Sequence, residues 1–413
     1  MGSSYDFPFN IADVCSLLPL TVRRRLSHSI YADCPFCNNS KKGKLNVNLV
    51  KNTYRCNYNP DHSGGMLELY AQYQNISRSD AYREICDALR TEQPGKVETR
   101  APVCIIPPPA DIVEVADLEV RHQTYSMLFA GLILTETHKR SLLARGLTEE
   151  QIRQHGYKST PAFGYTQMAA RLLERGCTLM GVPGFFVDDN GEWTLSFHPR
   201  SSGILIPVMS IDGRVQGAQI RLDNPIEDTK YFWFSSAEKN KGCSSGSPVH
   251  FVGDPQSKSI FVTEGGLKGN VAHGLSGRTF LCNAGVTQIQ GLRQALLILK
   301  GLGLQKVYEA NDMDKDMDIL CHCDYKVEKC AVCEHREQCR DTAVCPKKQI
   351  KRENIRRGCA GLLTLCMELG LDAERLTWDK RPDGLWAGKL KGIDNLELFK
   401  KQRKQKSTES GSE

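Results

Sequence analysis

The chain has 413 residues, of which 40% are hydrophobic and 25% are charged, with 17 cysteines and a formal net charge of +6. These values exclude a wholly disordered chain and predict about two to four domains with buried cores. The sequence has no run of about 18 apolar residues and no basic-then-apolar start, so we expect a cytoplasmic protein with no membrane partner. In that compartment, closely spaced cysteines are more often metal ligands than disulfides.

The first predicted unit, residues 1–92, contains a cysteine pair in CPFC, a short β-type stretch, and then YRCNYNPDHSGG. Ligand pairs at the ends of a hairpin are typical of a tetrahedral zinc ribbon. Asn59 stands where a ribbon usually has its last cysteine, so the fourth ligand is His62 or Asp61, and free structural cysteines are the alternative. We predict a zinc site formed by Cys34, Cys37, Cys56 and His62.

Aromatic and basic residues surround this site. Phe36, Tyr54 and Tyr58 suit single-stranded nucleic acid, because bases stack on rings while nearby cations follow the phosphates. Packing of the rings in the core and a solvated basic surface are the alternatives. The basic residues are Arg23, Arg24, Arg25, Lys41, Lys42 and Lys44 near the first cysteine pair, and Lys400, Lys401, Arg403, Lys404 and Lys406 near the end of the chain.

The hydrophobic pattern changes along the chain and indicates several domains. Apolar spacing predicts a helix from about Ser77 to Leu89, and Thr148 resembles a helix start. Short β-type runs begin at about residue 180, and strands alternate with helices from Ser259, which predicts a largely parallel sheet. We therefore predict an α+β multidomain fold with a zinc ribbon and helix at 1–92, a linker at 93–114, an α/β subdomain at 115–257, a mainly parallel domain at 258–398 and a disordered basic tail at 399–413.

Acidic residues follow two of the predicted parallel strands. Glu264 ends the strand SIFVTEG, and Asp312 and Asp314 follow the strand in KVYEANDMDKD. The carboxyl ends of parallel strands share one edge of a sheet, so the three carboxylates are expected to converge there. Such a set of oxygen ligands suits Mg²⁺ or Mn²⁺, which stabilises the charge of phosphoryl transfer. An ordinary acidic surface loop is the alternative.

Six cysteines occur in a polar stretch at 320–348: Cys321, Cys323, Cys330, Cys333, Cys339 and Cys345. Little apolar sequence surrounds them, so core packing does not account for them and we predict an insertion held together by metal. Zinc is the simpler assignment, and an iron–sulfur cluster on Cys330, Cys333, Cys339 and Cys345 is the alternative. No G-x-x-x-x-G-K-[ST] motif occurs, which argues against an ATP-driven helicase motor in this chain.

Three segments in order resemble the bacterial DnaG-type DNA primases and span most of residues 10–398. They are CPFC with YRC and SGGMLELYAQY, then GILIPVMSIDGRVQGAQIRL with the Lys-Tyr pair, and then SIFVTEG, NDMDKD and KGIDN. The resemblance implies a zinc-binding domain, a catalytic subdomain and a Toprim domain. It implies that Glu264 is a general acid or base and partial metal ligand, that Asp312 and Asp314 are the main ligands, and that Asp394 joins them.

The resemblance also assigns the basic residues near the carboxylates. Arg221 and Lys230 would line the groove beside the metals, although solvated strand ends are the alternative for both. Lys268 stands where the family has an acidic residue four places after the glutamate. That lysine either binds phosphate of the substrate or DNA, or marks the loss of a second metal.

The function implied is synthesis of short RNA primers on a single-stranded DNA template from ribonucleoside triphosphates. A separate replicative helicase would unwind the DNA, and the compact chain resembles a mobile-element or phage-like version. A Toprim nuclease, favoured by Lys268, is one alternative. A zinc-containing DNA-binding replication factor without catalysis is the other.

Overall fold

A computed structural model describes residues 9–26, 28–37, 43–59, 61–91, 113–197, 202–226, 229–321 and 327–409. The chain divides into two compact units, Met1–Asp111 and Ile112–Glu413. The interior of the predicted linker, together with Lys41, Lys42 and Cys323, lies outside the described residues. Within the part of the chain that the structure describes, no helix is both long and apolar enough to cross a membrane.

The first unit is a small antiparallel sheet covered by helices. Its elements are α1 (Ile11–Ser16), β1 (Val22–Arg25), β2 (Ser29–Ala32), β3 (Leu45–Asn48), β4 (Thr53–Cys56), β5 (Ser63–Gly65), α2 (Met66–Gln74) and α3 (Arg78–Thr91). The strands pair in chain order, β1 to β5. Alternate residues of β3 and β4 are buried against Leu69 and Ile85, so the sheet has one face in the core. α3 confirms the helix expected from Ser77 to Leu89.

The second unit begins with helices and continues into two antiparallel sheets. Its first elements are α4 (Leu118–Ala130), α5 (Glu136–Ala144), α6 (Glu149–Gln154), β6 (Lys158–Ser159), α7 (Tyr165–Glu174), β7 (Phe185–Val187), β8 (Trp193–Leu195), β9 (Gly203–Met209), β10 (Val215–Ile226) and β11 (Thr229–Trp233). The sheet orders are β11-β10-β9-β6 and β7-β8. Thr148 begins α6 as predicted, because its hydroxyl accepts the Gln151 backbone N–H and the Gln151 side chain accepts the Thr148 N–H.

A five-stranded sheet forms the rest of the second unit. Its elements are β12 (His250–Val252), β13 (Ser259–Glu264), α8 (Gly266–Ser276), β14 (Phe280–Asn283), α9 (Gln290–Gly301), β15 (Lys306–Glu309), a 3₁₀ turn (Met313–Asp316), α10 (Val327–Ala331), α11 (Arg336–Thr342), α12 (Pro346–Glu368), β16 (Asp372–Arg375) and α13 (Ile393–Glu409). The order is β12-β14-β13-β15-β16, and every pair is parallel except β12 with β14. The mixed α+β fold with a mainly parallel sheet is confirmed.

The basic segment at the end of the chain differs from the prediction of a disordered tail at 399–413. α13 begins at Ile393, which is buried, and continues through Lys400 and Lys401 to Glu409. Tertiary packing starts the helix, and the following lysines, arginine and glutamines are good helix formers, so the polar turns extend it. Residues 410–413 lie outside the described part.

Aromatic rings form the core beside β10 and β11. The Phe234 ring is fully buried and stacks on Phe197 with 4.6 Å between ring centroids. Phe185 meets it edge-on at 5.9 Å, and Tyr125 lies 6.4 Å away. These contacts join α4 to both antiparallel sheets, so this cluster stabilises the subdomain that precedes the parallel sheet.

We expect Phe234→Ala to destabilise the second unit by about 3–5 kcal/mol, because it removes a buried ring and leaves a cavity. Chemical denaturation followed by circular dichroism measures the change. Phe232→Ala is the matched control, since Phe232 lies two residues away and is 40% exposed. Equal destabilisation by the two changes would contradict the assignment of Phe234 to the core.

Candidate functional site

Four side chains of the first unit form a compact ligand cluster. The ligand atoms of Cys34, Cys37, Cys56 and His62 all lie within 4.8 Å of one another. The Cys37 Sγ atom is 3.2 Å from His62 Nδ1 and 3.8 Å from Cys56 Sγ. Three sulfur atoms and one imidazole nitrogen at this spacing fit a tetrahedral zinc ion. The cluster is the predicted ligand set, with His62 rather than Asp61 as the fourth member.

Strand ends and tight turns bring the four ligands together. Cys34 and Cys37 lie on the turn after β2, and Cys56 is the last residue of β4. The Cys56 backbone N–H donates to the His62 carbonyl over 2.8 Å, which holds the histidine opposite the strand end. Burial, then the neighbouring Cys34 and Cys56 thiols, raise the pKa of Cys37. Because thiolates crowded in this way repel one another, a bound cation would stabilise them.

Asn59, which replaces the usual cysteine, contacts two of the ligands. Its backbone N–H and that of Tyr58 each donate to Cys56 Sγ over 3.4 Å. Its side-chain amide nitrogen lies 3.4 Å from His62 Nε2. Asn59 therefore holds the ligands in place without being a ligand itself. His62, three residues further along the chain, is the fourth ligand.

The aromatic residues near this cluster differ in exposure. Tyr54 is buried, and its hydroxyl donates to the Gln72 side chain over 2.6 Å, so this ring packs in the core. Phe36 is half-buried and lies edge-on to the His62 ring at 5.5 Å. Tyr58 is half-buried beside the core. Stacking on DNA bases therefore stays a prediction for Phe36 and Tyr58 only.

We expect Cys56→Ser to reduce the zinc content of the full chain by about one ion, because zinc binds serine oxygen far more weakly than thiolate sulfur. Inductively coupled plasma mass spectrometry of the purified protein measures it. Cys86→Ser is the control, since Cys86 is also buried in this unit but is not part of the ligand cluster. Unchanged zinc content in Cys56→Ser would contradict the site.

The predicted acidic residues of the second unit lie at the carboxyl edge of the parallel sheet. Glu264 is the last residue of β13, and Asp312 follows the neighbouring strand β15. Lys268 connects these two carboxylates, since its Nζ atom contacts Asp312 Oδ1 and lies 3.7 Å from Glu264 Oε1. Lys391 connects the third residue, since its Nζ atom is 3.5 Å from Asp312 Oδ2 and 3.0 Å from Asp314 Oδ2. The structure thus brings all three to one edge, joined through two lysines.

Lysine side chains neutralise these carboxylates. Lys268 contacts Asp312 Oδ1 directly and lies 3.7 Å from Glu264 Oε1, while Lys351 contacts Asp314 Oδ2. With Lys391, three cations therefore face three carboxylates. Among the described residues, the groups whose ligand atoms all lie within 4.8 Å are the two cysteine clusters, and the three carboxylates do not form a third.

Burial and the lysines shift the pKa values in opposite directions. Burial, with a smaller contribution from Asp312, raises the pKa of Glu264 above its usual range. Burial acts in the same direction on Asp312, but Lys268 and Lys391 outweigh it, and the pKa of Asp312 is lowered. Burial would lower the pKa of Lys268, but Asp312 and then Glu264 raise it overall. The two carboxyl groups therefore differ in pKa, and Asp312 loses its proton more readily than Glu264.

The KGID loop adjoins the same edge. The Lys391 carbonyl accepts the Met313 backbone N–H over 2.9 Å. Asp394 is buried, forms an ion pair with Arg145 at 2.8 Å, and raises the pKa of Lys268 as a minor cause. A Cβ atom at Gly392 would collide with Asp394 and lie 3.3 Å from Asp312 Oδ1, so the loop passes close to the carboxylates. Asp394 therefore lies near the acidic cluster, as the sequence suggested.

Oxygen donors other than carboxylates also occur at this edge. Asn283 ends β14 and is in register with Glu264 on the adjacent parallel strand, so the two side chains share a face. The Asn283 Oδ1 atom is buried without a hydrogen-bond partner, and so is Asn311 Oδ1, one residue before Asp312. Carboxylate and unpartnered amide oxygens are donors that Mg²⁺ or Mn²⁺ accepts, so the chemistry of this edge fits a hard divalent cation.

The two basic residues expected beside the carboxylates lie on the antiparallel sheet. Arg221 is on β10 opposite Tyr231, and Lys230 is an exposed residue of β11. Tyr231 packs against the apolar cluster that contains Leu267 and Val271 of α8, the helix that follows Glu264. Their contact with a template or nucleotide stays a prediction, as does phosphate binding by Lys268, whose ammonium group points at carboxylates.

Three of the six cysteines in the insertion lie together. The thiols of Cys321, Cys339 and Cys345 are all within 4.8 Å of one another. Cys330 and Cys333, which the iron–sulfur alternative groups with Cys339 and Cys345, are not part of this group. The reason is the fold of the chain: a short antiparallel bridge between Leu320 and Val344 brings Cys321 beside Cys345. Three thiols at this spacing fit zinc binding.

Several residues at the acidic edge were missed by the sequence reasoning. Lys351, Lys391, Arg145 and Asn283 come from separate segments, and their contacts depend on how the chain packs. Lys391 alone had a signal, because it precedes the Gly-Ile-Asp run that was already associated with the carboxylates.

No protein-family model matches the chain, and no curated protein matches it by sequence. Similar solved structures include the zinc-binding and RNA polymerase domains of Aquifex aeolicus primase, at 14% identity and a TM-score of 0.43, covering 90% of this chain and 77% of that one. The RNA polymerase domain of Mycobacterium tuberculosis primase DnaG in complex with double-stranded DNA is 14% identical with a TM-score of 0.37, and the match covers 47% of this chain and 64% of that one. The E. coli primase catalytic core is 15% identical with a TM-score of 0.33, and the match covers 46% of this chain and 60% of that one. The chain therefore spans less than two thirds of the latter two structures.

Proposed function

We propose that this protein is a primase-like nucleotidyltransferase that synthesises short RNA primers on single-stranded DNA. The observation that carries the proposal is the meeting of Glu264, Asp312 and Asp314 at the carboxyl edge of a parallel sheet. Asp394 approaches the same edge, and a zinc-type cluster occupies the first unit. The sequence segments that resemble primases are therefore also the segments that build the two candidate sites.

The oxygen donors at this edge would hold the cation of the reaction. Glu264, Asp312 and Asp314 are its ligands in this proposal, with the amide oxygen of Asn283 available on the neighbouring strand. Bound Mg²⁺ or Mn²⁺ supplies the positive charge that stabilises phosphoryl transfer between nucleotides. Since the half-buried Glu264 carboxyl has a raised pKa, it can hold or release a proton nearer to neutral pH than an exposed glutamate.

Lys268 has a positioning role in this proposal. Its side chain is 16% exposed and fixes the Asp312 carboxylate while remaining within 4 Å of Glu264. A fixed positive charge at a place where the family has a carboxylate leaves less negative charge to attract cations. The edge is therefore suited to fewer divalent ions than a fully acidic site, and Lys268 provides part of the charge compensation itself.

Basic surface in the second unit supports a nucleic-acid partner. A cavity of about 490 Å³ lies between α8 and α13, and its lining includes Arg278, Lys400, Lys401 and Lys404. Glu397 also lines it and pairs with Arg278 and Lys400, so the lining has a net positive charge with two of its cations partly neutralised. Clustered cations of this kind bind phosphates, and the affinity they provide falls steeply with salt. In this proposal the template contacts such basic residues and the first unit, ribonucleoside triphosphates are the substrates, and a separate helicase supplies the unwound strand.

A DNA-binding replication factor without catalysis is the second candidate. The observation that favours it is the near balance of charge at the acidic edge, where Lys268, Lys351 and Lys391 already pair with the carboxylates. A divalent cation must compete with these ammonium groups for the same oxygens. A Toprim nuclease is the remaining enzymatic reading, and the same assay separates all three.

We expect the full chain to make short RNA from ribonucleoside triphosphates on single-stranded DNA with Mg²⁺ or Mn²⁺, and Asp312→Asn to lose at least about 100-fold of this activity. The change keeps the shape of the side chain but removes the charge that Lys268 and the cation share. Labelled nucleotide incorporation on a denaturing gel measures the product.

Asp372→Asn is the matched control, because Asp372 is an exposed carboxylate at the start of β16, away from the carboxyl edge. Equal synthesis by Asp312→Asn and the wild type would remove Asp312 from the mechanism. Shortening of labelled DNA without nucleotides would indicate the nuclease. Binding of single-stranded DNA with neither synthesis nor cleavage would indicate the replication factor.

A further inference from the structure

The cysteine-rich insertion contains three thiols that the proposed reaction does not use. Cys321 follows the 3₁₀ turn Met313–Asp316, which contains Asp314 and is called the acidic turn below. Cys339 lies on α11, and Cys345 is the residue that caps the start of α12. All three are half-buried, and their sulfur atoms lie within 4.8 Å of one another. They are free thiols and not disulfide partners.

Backbone contacts hold these thiols in place. The Cys321 N–H donates to the Ala343 carbonyl over 2.9 Å, and the Cys345 N–H donates to the Ile319 carbonyl over 2.8 Å. Ala343 ends α11 with φ +57°, the left-handed turn that reverses the chain between Cys339 and Cys345. Main-chain hydrogen bonds around the Leu320–Val344 bridge therefore hold Cys321 beside Cys345.

The described residues of the insertion form no hydrophobic core. From Asp316 to Arg357, none of the residues whose burial the structure describes is buried, and α11 has no buried side chain at all. Polar segments without buried apolar surface do not fold by packing alone, and small modules of this kind are usually held by metal or disulfides. Metal binding by the three converging thiols can supply the free energy of folding that apolar packing does not provide in the described part of the insertion.

We propose that Cys321, Cys339 and Cys345 bind one zinc ion, which fastens the segment after the acidic motif to the start of α12. Thiolate sulfur is the ligand that zinc prefers in structural sites, and these residues supply three of its four ligands. The group is separate from the Cys34 cluster, which belongs to the first unit.

The consequence lies in what the next turns of α12 contact. Lys351 contacts Asp314, and the Arg352 guanidinium donates to the Met317 carbonyl over 3.2 Å. Arg356 donates to the Lys315 carbonyl over 2.7 Å and to Asp316 over 3.1 Å. The zinc ion thus anchors the helix that holds three cations on the acidic turn, and it acts as a structural support of the edge.

Metal content tests this inference without DNA or nucleotides, so its outcome is independent of the proposed function. We expect Cys339→Ser and Cys345→Ser, each in the full chain, to contain about one zinc ion less than the wild type. Cys330→Ser and Cys333→Ser are the matched controls from the same insertion. Neither of these two thiols belongs to the three-sulfur group, so both controls should keep the full zinc content.

Two further measurements guard against simple misfolding. Cys339→His should restore zinc, because imidazole replaces a thiolate as a ligand. In a Cys56→Ser background, cobalt(II) added to the chain should give the intense visible bands of a tetrahedral site with thiolate charge transfer. Removal of zinc should also increase hydrogen exchange at residues 346–356, where α12 meets the acidic turn.

Specific results would overturn the proposal. Full zinc content in both Cys339→Ser and Cys345→Ser would exclude the site. Iron with acid-labile sulfide in the purified chain would replace it with an iron–sulfur cluster. Equal zinc loss on changing Cys330 or Cys333 would refute the three-thiol ligand set.

Discussion

Negative charge gathered at the carboxyl edge of a parallel sheet must be balanced, and Lys268, Lys351 and Lys391 balance it in this protein. Two like charges a few ångströms apart in a partly buried site repel strongly unless a cation lies between them. The lysines come from α8, from α12 and from the KGID loop. Each of those segments is therefore held at the edge by the carboxylates it neutralises.

This charge balance connects the surrounding architecture. α12 carries Lys351 to the edge, and the cysteine cluster lies directly before that helix. Lys391 lies just before α13 and Asp394 lies in its first turn. Asp394 in turn forms an ion pair with Arg145, just after α5. Ile204 and Ile206 of the antiparallel sheet share an apolar cluster with Leu267 and Val271 of α8, which begins just after Glu264. A substitution in any of these neighbouring elements would therefore alter the charge balance around the carboxylates without replacing a carboxylate.

Local patterns predicted much of the fold and the ligand set of the first unit. The apolar strands that end in Glu264 and precede Asp312 are each local patterns, and parallel pairing then places their carboxyl ends at one edge. The Cys34 to His62 spacing specifies a zinc-type cluster because all four ligands lie within one short segment. The grouping of Cys321 with Cys345 depends on a chain reversal that spacing does not reveal. The helical tail was missed because composition describes isolated segments, whereas α13 extends from a packed start at Ile393.

The proposed reaction requires the acidic edge to bind a hard divalent cation despite its lysines. Manganese(II) titration of the full chain, followed by electron paramagnetic resonance of the free ion, measures this binding directly. We expect saturable binding by the wild type that is lost in the double variant Glu264→Gln with Asp314→Asn. Absence of binding by the wild type, with and without a ribonucleoside triphosphate, would contradict it.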